Sequence, residues 1–333
     1  MDSMTWDNLL DEYFFAKMLR PDTESSYRKV VNTFQVFAGV DNRPAQVTRQ
    51  QVLAWRRYVL HQSGRKGVTW NSKIAHMRAL FNFAIKEKIL PQTENPFNGV
   101  VVNANKKKKK TLTKKQLTAL YLTMGQFEER ERQAGDNHRA RCALYPTWYW
   151  LTVLDTLRYT GMRQNQLLHI RLGDVDLKER RIILCSEGSK NHYEHLVPVV
   201  KWLYPRLEIL LERALAAGAK LSDPLFCVNY FTAKTDRGSE TDQLQTIKSF
   251  FRRLSKECGF DVGPHRFRHT LATELMKAPD RNLQMVRGLL GHRSIATTME
   301  YIDINLDIAG RALERELMLY IDVEPERGEM LIG

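Results

Sequence analysis

The chain has 333 residues and carries 51 lysines and arginines against 38 aspartates and glutamates, a net charge of +13. This excess indicates a polyanionic partner, and the length predicts about two domains. A membrane or secreted protein is not expected, because no apolar run reaches the roughly 20 residues that span a bilayer and the first residues lack a signal peptide. Four cysteines without a C-x-x-C pair predict neither a zinc site nor a disulfide framework. An intracellular, cytoplasmic protein is expected.

Residues 1–98 are predicted to form a small bundle of four helices. Apolar residues recur at helical spacing in segments that begin at Trp6, Pro21, Thr48 and Trp70. Thr48 and Gln51 have the spacing of a capping box, which supports a helix start at that point. Lys73 and Arg78 lie off the apolar stripe of the fourth segment. They either form an ordinary solvated face or contact a polyanion.

The region 99–112 is predicted to be a linker, because it has no helical pattern after Asn95-Pro96 and contains five consecutive lysines, Lys106, Lys107, Lys108, Lys109 and Lys110. Like charges repel, so an extended, solvated segment is one interpretation. A nuclear-localisation-like tract is another. The preferred interpretation is a strap that lies along the phosphates of a nucleic acid and gains affinity from counterion release.

Residues 113–322 are predicted to form a second, mainly helical domain with one β-hairpin, and residues 323–333 a polar tail. A capping box at Thr113 and Gln116 opens a helix to about Glu131, and the charged stretch 130–141 is predicted to be an exposed loop. The further predicted elements are helices at 144–160, 202–217, 241–258 and 306–317, strands at 180–186 and 193–199, and a short buried segment at 224–228. The helix at 241–258 carries Lys248, Arg252, Arg253 and Lys256, a basic stripe suited to a polyanion.

Two stretches combine residue types that suit phosphate chemistry. The first reads Tyr159-Thr-Gly-Met-Arg163-Gln-Asn-Gln166, in which an arginine follows a glycine helix stop and opens a new helix, a setting that favours an anion. The second reads His265-Arg-Phe-Arg268-His-Thr and continues to Leu290-Gly-His292-Arg-Ser-Ile-Ala-Thr-Thr-Met-Glu-Tyr301. His265 and Arg268 stand three residues apart on a helix and so share a face. A tyrosine among cationic groups suggests attack on a phosphodiester.

These stretches resemble the signatures of the tyrosine recombinases, the phage-integrase family, which read T-G-x-R-x-x-E, H-x-L-R-H-T and L-G-H-x-S-x-x-x-T-x-x-Y. The resemblance is strong over residues 111–303 and looser before them. Phe267 replaces the leucine of the second motif, and Gln166 replaces the glutamate of the first, which leaves the support of the neighbouring arginine open. The resemblance implies a mainly α catalytic domain with a small β element, preceded by a helical core-binding domain that contacts DNA.

The resemblance assigns six catalytic positions. Tyr301 is the nucleophile that becomes joined to a DNA 3′ end, and Arg163 and Arg268 neutralise the non-bridging oxygens of the phosphate. Lys190, in the predicted hairpin turn, is the acid for the leaving 5′ oxygen, His265 the acid or base beside the phenol, and His292 a donor to the phosphate. Lys73, Arg78, Arg252 and Arg253, with the linker lysines, are the candidate DNA contacts. Because arginines supply the charge, no metal and no cofactor is expected.

The predicted function is site-specific recombination of double-stranded DNA through a 3′-phosphotyrosyl intermediate and a Holliday junction. The expected assembly is a homotetramer joined by the C-terminal helix, associated with the nucleoid of a bacterium or with a phage or mobile element, with accessory DNA-bending or directionality proteins as further partners. A type IB topoisomerase or telomere resolvase would share this chemistry. A catalytically inactive DNA-binding regulator is the alternative from another class.

Overall fold

The chain divides into two units, residues 1–108 and 109–333. The computed structural model describes residues 4–104, 109–134, 142–184, 195–232, 239–277, 283–291 and 294–299. Within these ranges the chain is mainly helical with one small antiparallel sheet, which confirms the predicted fold class. The division between the units falls inside the region predicted to be a linker, 99–112.

The first unit contains four α-helices, α1 (Trp6–Lys17), α2 (Pro21–Ala38), α3 (Arg49–Arg57) and α4 (Gly67–Lys86). Thr48 caps α3 as predicted, because its hydroxyl accepts from the Gln51 N–H at 3.2 Å and the Gln51 side chain accepts from the Thr48 N–H at 3.0 Å. A π-helical turn, Tyr58–Gln62, then continues α3. Helix α4 begins three residues before the predicted start at Trp70.

Aromatic side chains fill the core of the first unit. Trp55 lies edge-on to Phe34 and to Trp70, with ring centroids 5.0 and 5.1 Å apart. The chain after α4 is bound to that helix, because the Trp70 indole donates to the Val100 carbonyl at 2.9 Å and the Asn71 amide exchanges two hydrogen bonds with the main chain of Val102. Residues 100–102 of the predicted linker therefore belong to the first unit.

The described part of the second unit contains helices α5 (Lys114–Ala134), α6 (Thr147–Thr160), α7 (Gln164–His169), α8 (Tyr204–Ala216), α9 (Glu240–Cys258), α10 (Pro264–Lys277), α11 (Leu283–Leu290) and α12 (Ile295–Met299). Helix α6 is buried almost throughout, and Trp150 stacks on Phe250 of α9 at 4.0 Å. Helix α5 extends to Ala134, beyond its predicted end at about Glu131, so the predicted loop at 130–141 was wrong over residues 132–134. A long-range hydrogen bond stabilises this end of the helix, because the Glu131 carboxylate accepts from the Thr147 N–H at 2.8 Å.

The sheet has three strands in the order β1-β2-β3, namely Val175–Asp176, Arg181–Leu184 and His195–Pro198. Strands β2 and β3 lie within the two runs predicted to form a hairpin, and they pair antiparallel with Leu184 opposite His195. Strand β1 was not predicted, because a strand of two residues has no sequence period. The buried face of β2 and β3 carries Ile182, Leu184 and Val197 and packs on the domain core.

The end of the predicted linker is bound to the second unit through α10. The Leu112 N–H donates to the Thr270 hydroxyl at 2.8 Å, and Arg266 donates to the Thr111 carbonyl at 2.7 Å. Lys110 lies 3.5 Å from the Asp261 carboxylate just before the same helix. Among the described residues, no helix is long and apolar enough to cross a membrane.

Candidate active site

The turn between α6 and α7 positions Arg163. Helix α6 ends at Gly161, whose φ of 61° is left-handed, and Arg163 is the N-cap of α7. The Arg163 N–H donates to the Gln166 amide oxygen at 2.9 Å. Gln166, which is 2% exposed, therefore fixes the main chain of Arg163 although it carries no charge. Its amide nitrogen is buried without a hydrogen-bond partner in the described part of the chain.

The Arg268 side chain connects the turn after α6 to the turn after α11. Its guanidinium is 4% exposed and donates through Nη1 to the Gly161 carbonyl at 2.9 Å and through Nη2 to the Leu290 carbonyl at 2.7 Å. Gly161 lies two residues before Arg163, and Leu290 lies at the end of α11, directly before the turn residue Gly291. A planar guanidinium can bind two acceptors in fixed directions at once. Arg268 thereby holds two segments that carry predicted site residues.

His195 also lies in this region, although it was not predicted as a site residue. Burial lowers the pKa of His195 below its ordinary value of 6.5, and the positive charges of Arg163 and Arg268 lower it further. The ring is therefore neutral at physiological pH. A sequence signal existed, because His195 stands two residues before the buried Val197 and so faces the same side of the strand.

The other predicted catalytic residues are placed as follows. His265 lies in the first turn of α10 with an exposed side chain, and its ring lies 6.3 Å from that of His269. Lys190, His292 and Tyr301 lie outside the described residues, as does the predicted C-terminal helix at 306–317. The structure thus brings the Arg163 and Arg268 side chains to one turn, and the catalytic roles of all six residues stay predictions.

The candidate DNA contacts are divided between the two units. In the first, Arg78 is exposed, whereas Lys73 is half-buried with its ammonium 6.0 Å from the Trp55 ring. Burial lowers the pKa of Lys73, and the charge of Arg65 lowers it further. In the second, Lys248, Arg252, Arg253, Lys256, Lys109 and Lys110 are described, and Lys106, Lys107 and Lys108 lie outside the described residues.

The basic residues of α9 are of two kinds, one in an ion pair and three along the solvent face. Arg253 is paired with Glu257 at 2.7 Å, so part of its charge is already compensated. Lys248, Arg252 and Lys256 recur every four residues and are exposed, which aligns them along the solvent face of the helix. Within the described residues, no group of three histidine, cysteine or acidic side chains is placed to hold a metal ion.

Comparison with known proteins identifies the family. Residues 110–307 match the phage integrase family, and residues 7–88 match the phage integrase N-terminal SAM-like domain. "Putative tyrosine recombinase XerC" of Pseudomonas aeruginosa is 35% identical over 91% of this chain and 70% of its own length. The protein of the same name from Pseudomonas syringae is 32% identical over 92% of this chain and 63% of its own length.

Solved structures show the same fold. The Tn1549 transposon integrase in complex with transposon right end DNA aligns over 94% of this chain and 99% of its own, with a TM-score of 0.68 and 17% identity. A lambda integrase tetramer bound to a Holliday junction aligns over 91% of this chain and 78% of its own, with a TM-score of 0.61 and 16% identity. The chain belongs to the phage integrase family and is a tyrosine recombinase, an enzyme class that breaks and rejoins DNA strands, as its sequence predicted.

Proposed function

We propose that this chain recombines specific DNA sites through a covalent bond to Tyr301. The Tyr301 oxygen attacks the scissile phosphorus, a phosphotyrosyl bond forms at the 3′ end, and the bond to the 5′ oxygen breaks. The phenol loses its proton to His265, and Lys190 gives a proton to the leaving 5′ oxygen. The 5′ hydroxyl of a partner duplex then attacks the phosphotyrosine and releases the enzyme, which produces a Holliday junction after one pair of exchanges.

The observation that carries this proposal is that the Arg268 side chain, from α10, binds the turn that carries Arg163. A phosphodiester in transfer gains negative charge on its non-bridging oxygens, and two rigid guanidinium groups neutralise that charge without rearrangement. Arg268 is held through Gly161 and Leu290, so its position does not depend on bound DNA. His292 follows Gly291 in the chain and adds a hydrogen bond to the same phosphate.

The proposed reaction can be tested with a nicked duplex that carries a DNA site bound by the protein, sought as an inverted repeat in the DNA that flanks the gene. The short 5′ fragment diffuses away after cleavage, which traps the covalent adduct. Mass spectrometry should map the adduct to the peptide that contains Tyr301, and Tyr301→Phe should bind the duplex with unchanged affinity and form none. An adduct on Tyr193, Tyr230 or Tyr320, or one formed by Tyr301→Phe, contradicts the proposal.

The proposed assembly is a tetramer on two duplexes in which the C-terminal helix of each subunit binds the next. Residues 306–333 contain seven acidic and three basic residues and an apolar helical stripe. The second unit offers a mostly apolar cavity of about 680 Å³ lined by Leu117, Phe267 and Leu271. The charged residues around it are Lys114, Arg158 and Lys277 and one acid, Glu274, which lies 3.2 Å from Lys277, so the border is positive on balance. The size, apolar lining and positive border suit an acidic amphipathic helix.

Removal of the chain from Leu306 onward should leave binding to one DNA site intact and abolish the pairing of two sites. The double variant Lys114→Glu and Lys277→Glu should have the same effect, since both side chains are exposed and border the cavity. Native gels that separate single complexes from paired ones measure the result. Lys220→Glu, at an exposed lysine after α8 that is not a candidate DNA contact, is the matched control and should pair normally. Full pairing by the truncated protein would exclude the C-terminal helix as the connector.

The proposed reaction acts on DNA sites, which suggests where the protein works in the cell. A recombinase of this kind acts on the bacterial nucleoid or on a mobile element, and proteins that bend DNA or set the direction of the reaction are further candidate partners. Recovery of such proteins with wild-type enzyme and DNA, but not with enzyme alone, would support that part of the proposal. Deletion of the gene should abolish recombination at the DNA site that the protein binds.

A further inference from the structure

His195 is placed at the active-site end of the hairpin. It is the first residue of β3, it pairs with Leu184 across the sheet, and it shares a strand face with the buried Val197. Its side chain is half-buried. Neither ring nitrogen hydrogen-bonds a residue that the structure describes. The ring is therefore held by packing against its neighbours and not by hydrogen bonds within the described chain.

The neighbour that defines the ring position is Gly291. A Cβ atom added to Gly291 would lie 2.9 Å from Cε1, 3.2 Å from Nε2 and 3.3 Å from Nδ1 of His195. The two nitrogens are only slightly farther from this position than the carbon between them, so the flat face of the imidazole is turned toward the place where a Cβ of Gly291 would lie. Gly291 also has a φ of 59°, which favours glycine. A side chain at position 291 would displace the ring or the turn.

His195 and Arg268 act on consecutive residues of the same turn. Arg268 donates to the Leu290 carbonyl at 2.7 Å, and His195 covers Gly291. The next residue in the chain is His292, the predicted donor to the phosphate. The two contacts restrain the main chain at residues 290 and 291. Because each residue has only two freely rotating main-chain angles, this restraint limits the positions open to residue 292.

We propose that His195 is a positioning residue of the recombination reaction, whose flat, uncharged ring sets the turn that carries His292. The inference rests on the proposed function and adds to it a residue outside the six assigned positions. A loss of this contact moves a group that acts on the phosphate, and a displacement of about 1 Å in such a group can cost about 100-fold in rate. DNA affinity depends on many other contacts and is not expected to change.

The ring must be uncharged for this role. Arg163 from the α6–α7 turn and Arg268 from α10 are the charged groups that act on it, and α11 contributes the main chain of Leu290 and Gly291. A third positive charge in this half-buried position would repel both arginines and displace the ring. The lowered pKa of His195 fits this requirement, since it keeps the ring neutral.

The test is single-turnover cleavage of the nicked duplex together with DNA affinity. His195→Ala should form adduct about 10- to 100-fold more slowly at unchanged affinity. His195→Phe keeps a flat uncharged ring and should stay within about twofold of the wild type. His195→Lys should be at least as slow as His195→Ala. Wild-type adduct formation is the precondition, so its absence contradicts the proposed function and not this inference alone.

A second experiment combines substitutions at His195 and Gly291, so that the contact between the two residues can be distinguished from a general folding defect. Gly291→Ala should slow cleavage more in the wild type than in His195→Ala, because both proteins then carry the strain of a left-handed φ at residue 291 but only the wild type has the ring that the added Cβ meets. Gly259→Ala is the matched control, since Gly259 has a φ of 72° and nothing within 4 Å of an added Cβ. Wild-type cleavage by His195→Ala, additive effects of the two substitutions, or equal loss in His195→Phe and His195→Ala would each overturn the proposal.

Discussion

At the scale of single residues, Arg268 is a buried cation held by two main-chain carbonyls. The Gly161 and Leu290 carbonyls that it binds belong to segments far apart in the sequence, so the side chain contributes to stability in addition to its proposed role in phosphate binding. Hydrogen bonds from charged groups contribute more to stability than neutral ones. The two roles can be separated, because stability is measured without DNA.

Arg268→Lys should lower the free energy of unfolding by about 1.5–3 kcal/mol, because an ammonium group cannot reach both carbonyls in the geometry of a guanidinium. Urea denaturation of the DNA-free protein measures the change. Arg252→Lys is the control, because Arg252 is exposed on α9. The free energy of unfolding of this variant should stay within about 0.5 kcal/mol of the wild-type value. Equal stability of Arg268→Lys and the wild type would show that the two carbonyl bonds contribute little.

His195 also predicts how stability depends on pH. Its pKa is lowered in the folded protein relative to the ordinary value of 6.5, so the unfolded chain binds a proton at a pH where the folded chain does not. Stability therefore rises with pH through this window and falls on acidification below pH 6.5. His195→Phe removes this contribution, and its melting temperature should fall less over the same acidification. Parallel curves for the two proteins would contradict the lowered pKa.

At the scale of elements, the end of α6 depends on the absence of a side chain at Gly161. An added Cβ would lie 2.9 Å from a methyl group of Leu271 and 3.0 Å from one of Leu290. Helices α6, α10 and α11 meet at this point. The glycine is thus required for close packing as well as for its left-handed φ.

Gly161→Ala should destabilise the protein by about 1–2 kcal/mol for the left-handed conformation and by about 1–3 kcal/mol more for the forced contacts. Gly259→Ala measures the first part alone, because Gly259 ends α9 with a φ of 72° and open space around it. The difference between the two unfolding free energies isolates the packing cost. A difference near zero would mean that Leu271 and Leu290 move aside without cost.

The elements also show what sequence can and cannot predict. Helices with a clear apolar stripe, such as α3 with its capping box at Thr48, follow from local pattern. The last turn of α5 was missed because it is stabilised by Glu131 and the distant Thr147 main chain. Arg163 and Arg268 were predicted from their motifs, but the carbonyls that hold Arg268 have no sequence signature. His195 escaped prediction because its role depends on Gly291 from another element.

At the scale of the whole molecule, the two ends of the predicted linker are each attached to a unit. Val100 and Val102 are bound to α4 in the first unit, and Thr111 and Leu112 to α10 in the second. Lys110 lies 3.5 Å from Asp261, with both side chains mostly exposed, a pair that contributes little. Its charge therefore stays available to DNA phosphates.

Replacement of Lys106–Lys110 by glutamines should weaken DNA binding on every sequence alike. Each lysine on a phosphate contributes about 0.9 to the slope of log affinity against log salt, so the slope should become shallower. Affinity measured at several salt concentrations on specific and unrelated duplexes tests this. Glutamines at Lys248, Arg252 and Lys256 form the comparison set on α9. An unchanged slope in the linker variant would remove these lysines from the DNA contact.

The bond between Leu112 and Thr270 has a practical consequence. The Leu112 amide is shielded by a hydroxyl on α10, the helix that also carries His265 and Arg268. Hydrogen exchange at this one amide therefore reports how often the first half of α10 separates from the incoming chain. Slower exchange on addition of DNA would show that DNA binding stabilises the contact between Leu112 and α10. Thr270→Val removes the acceptor, so the Leu112 amide should exchange rapidly, and its exchange rate should not change when DNA is added.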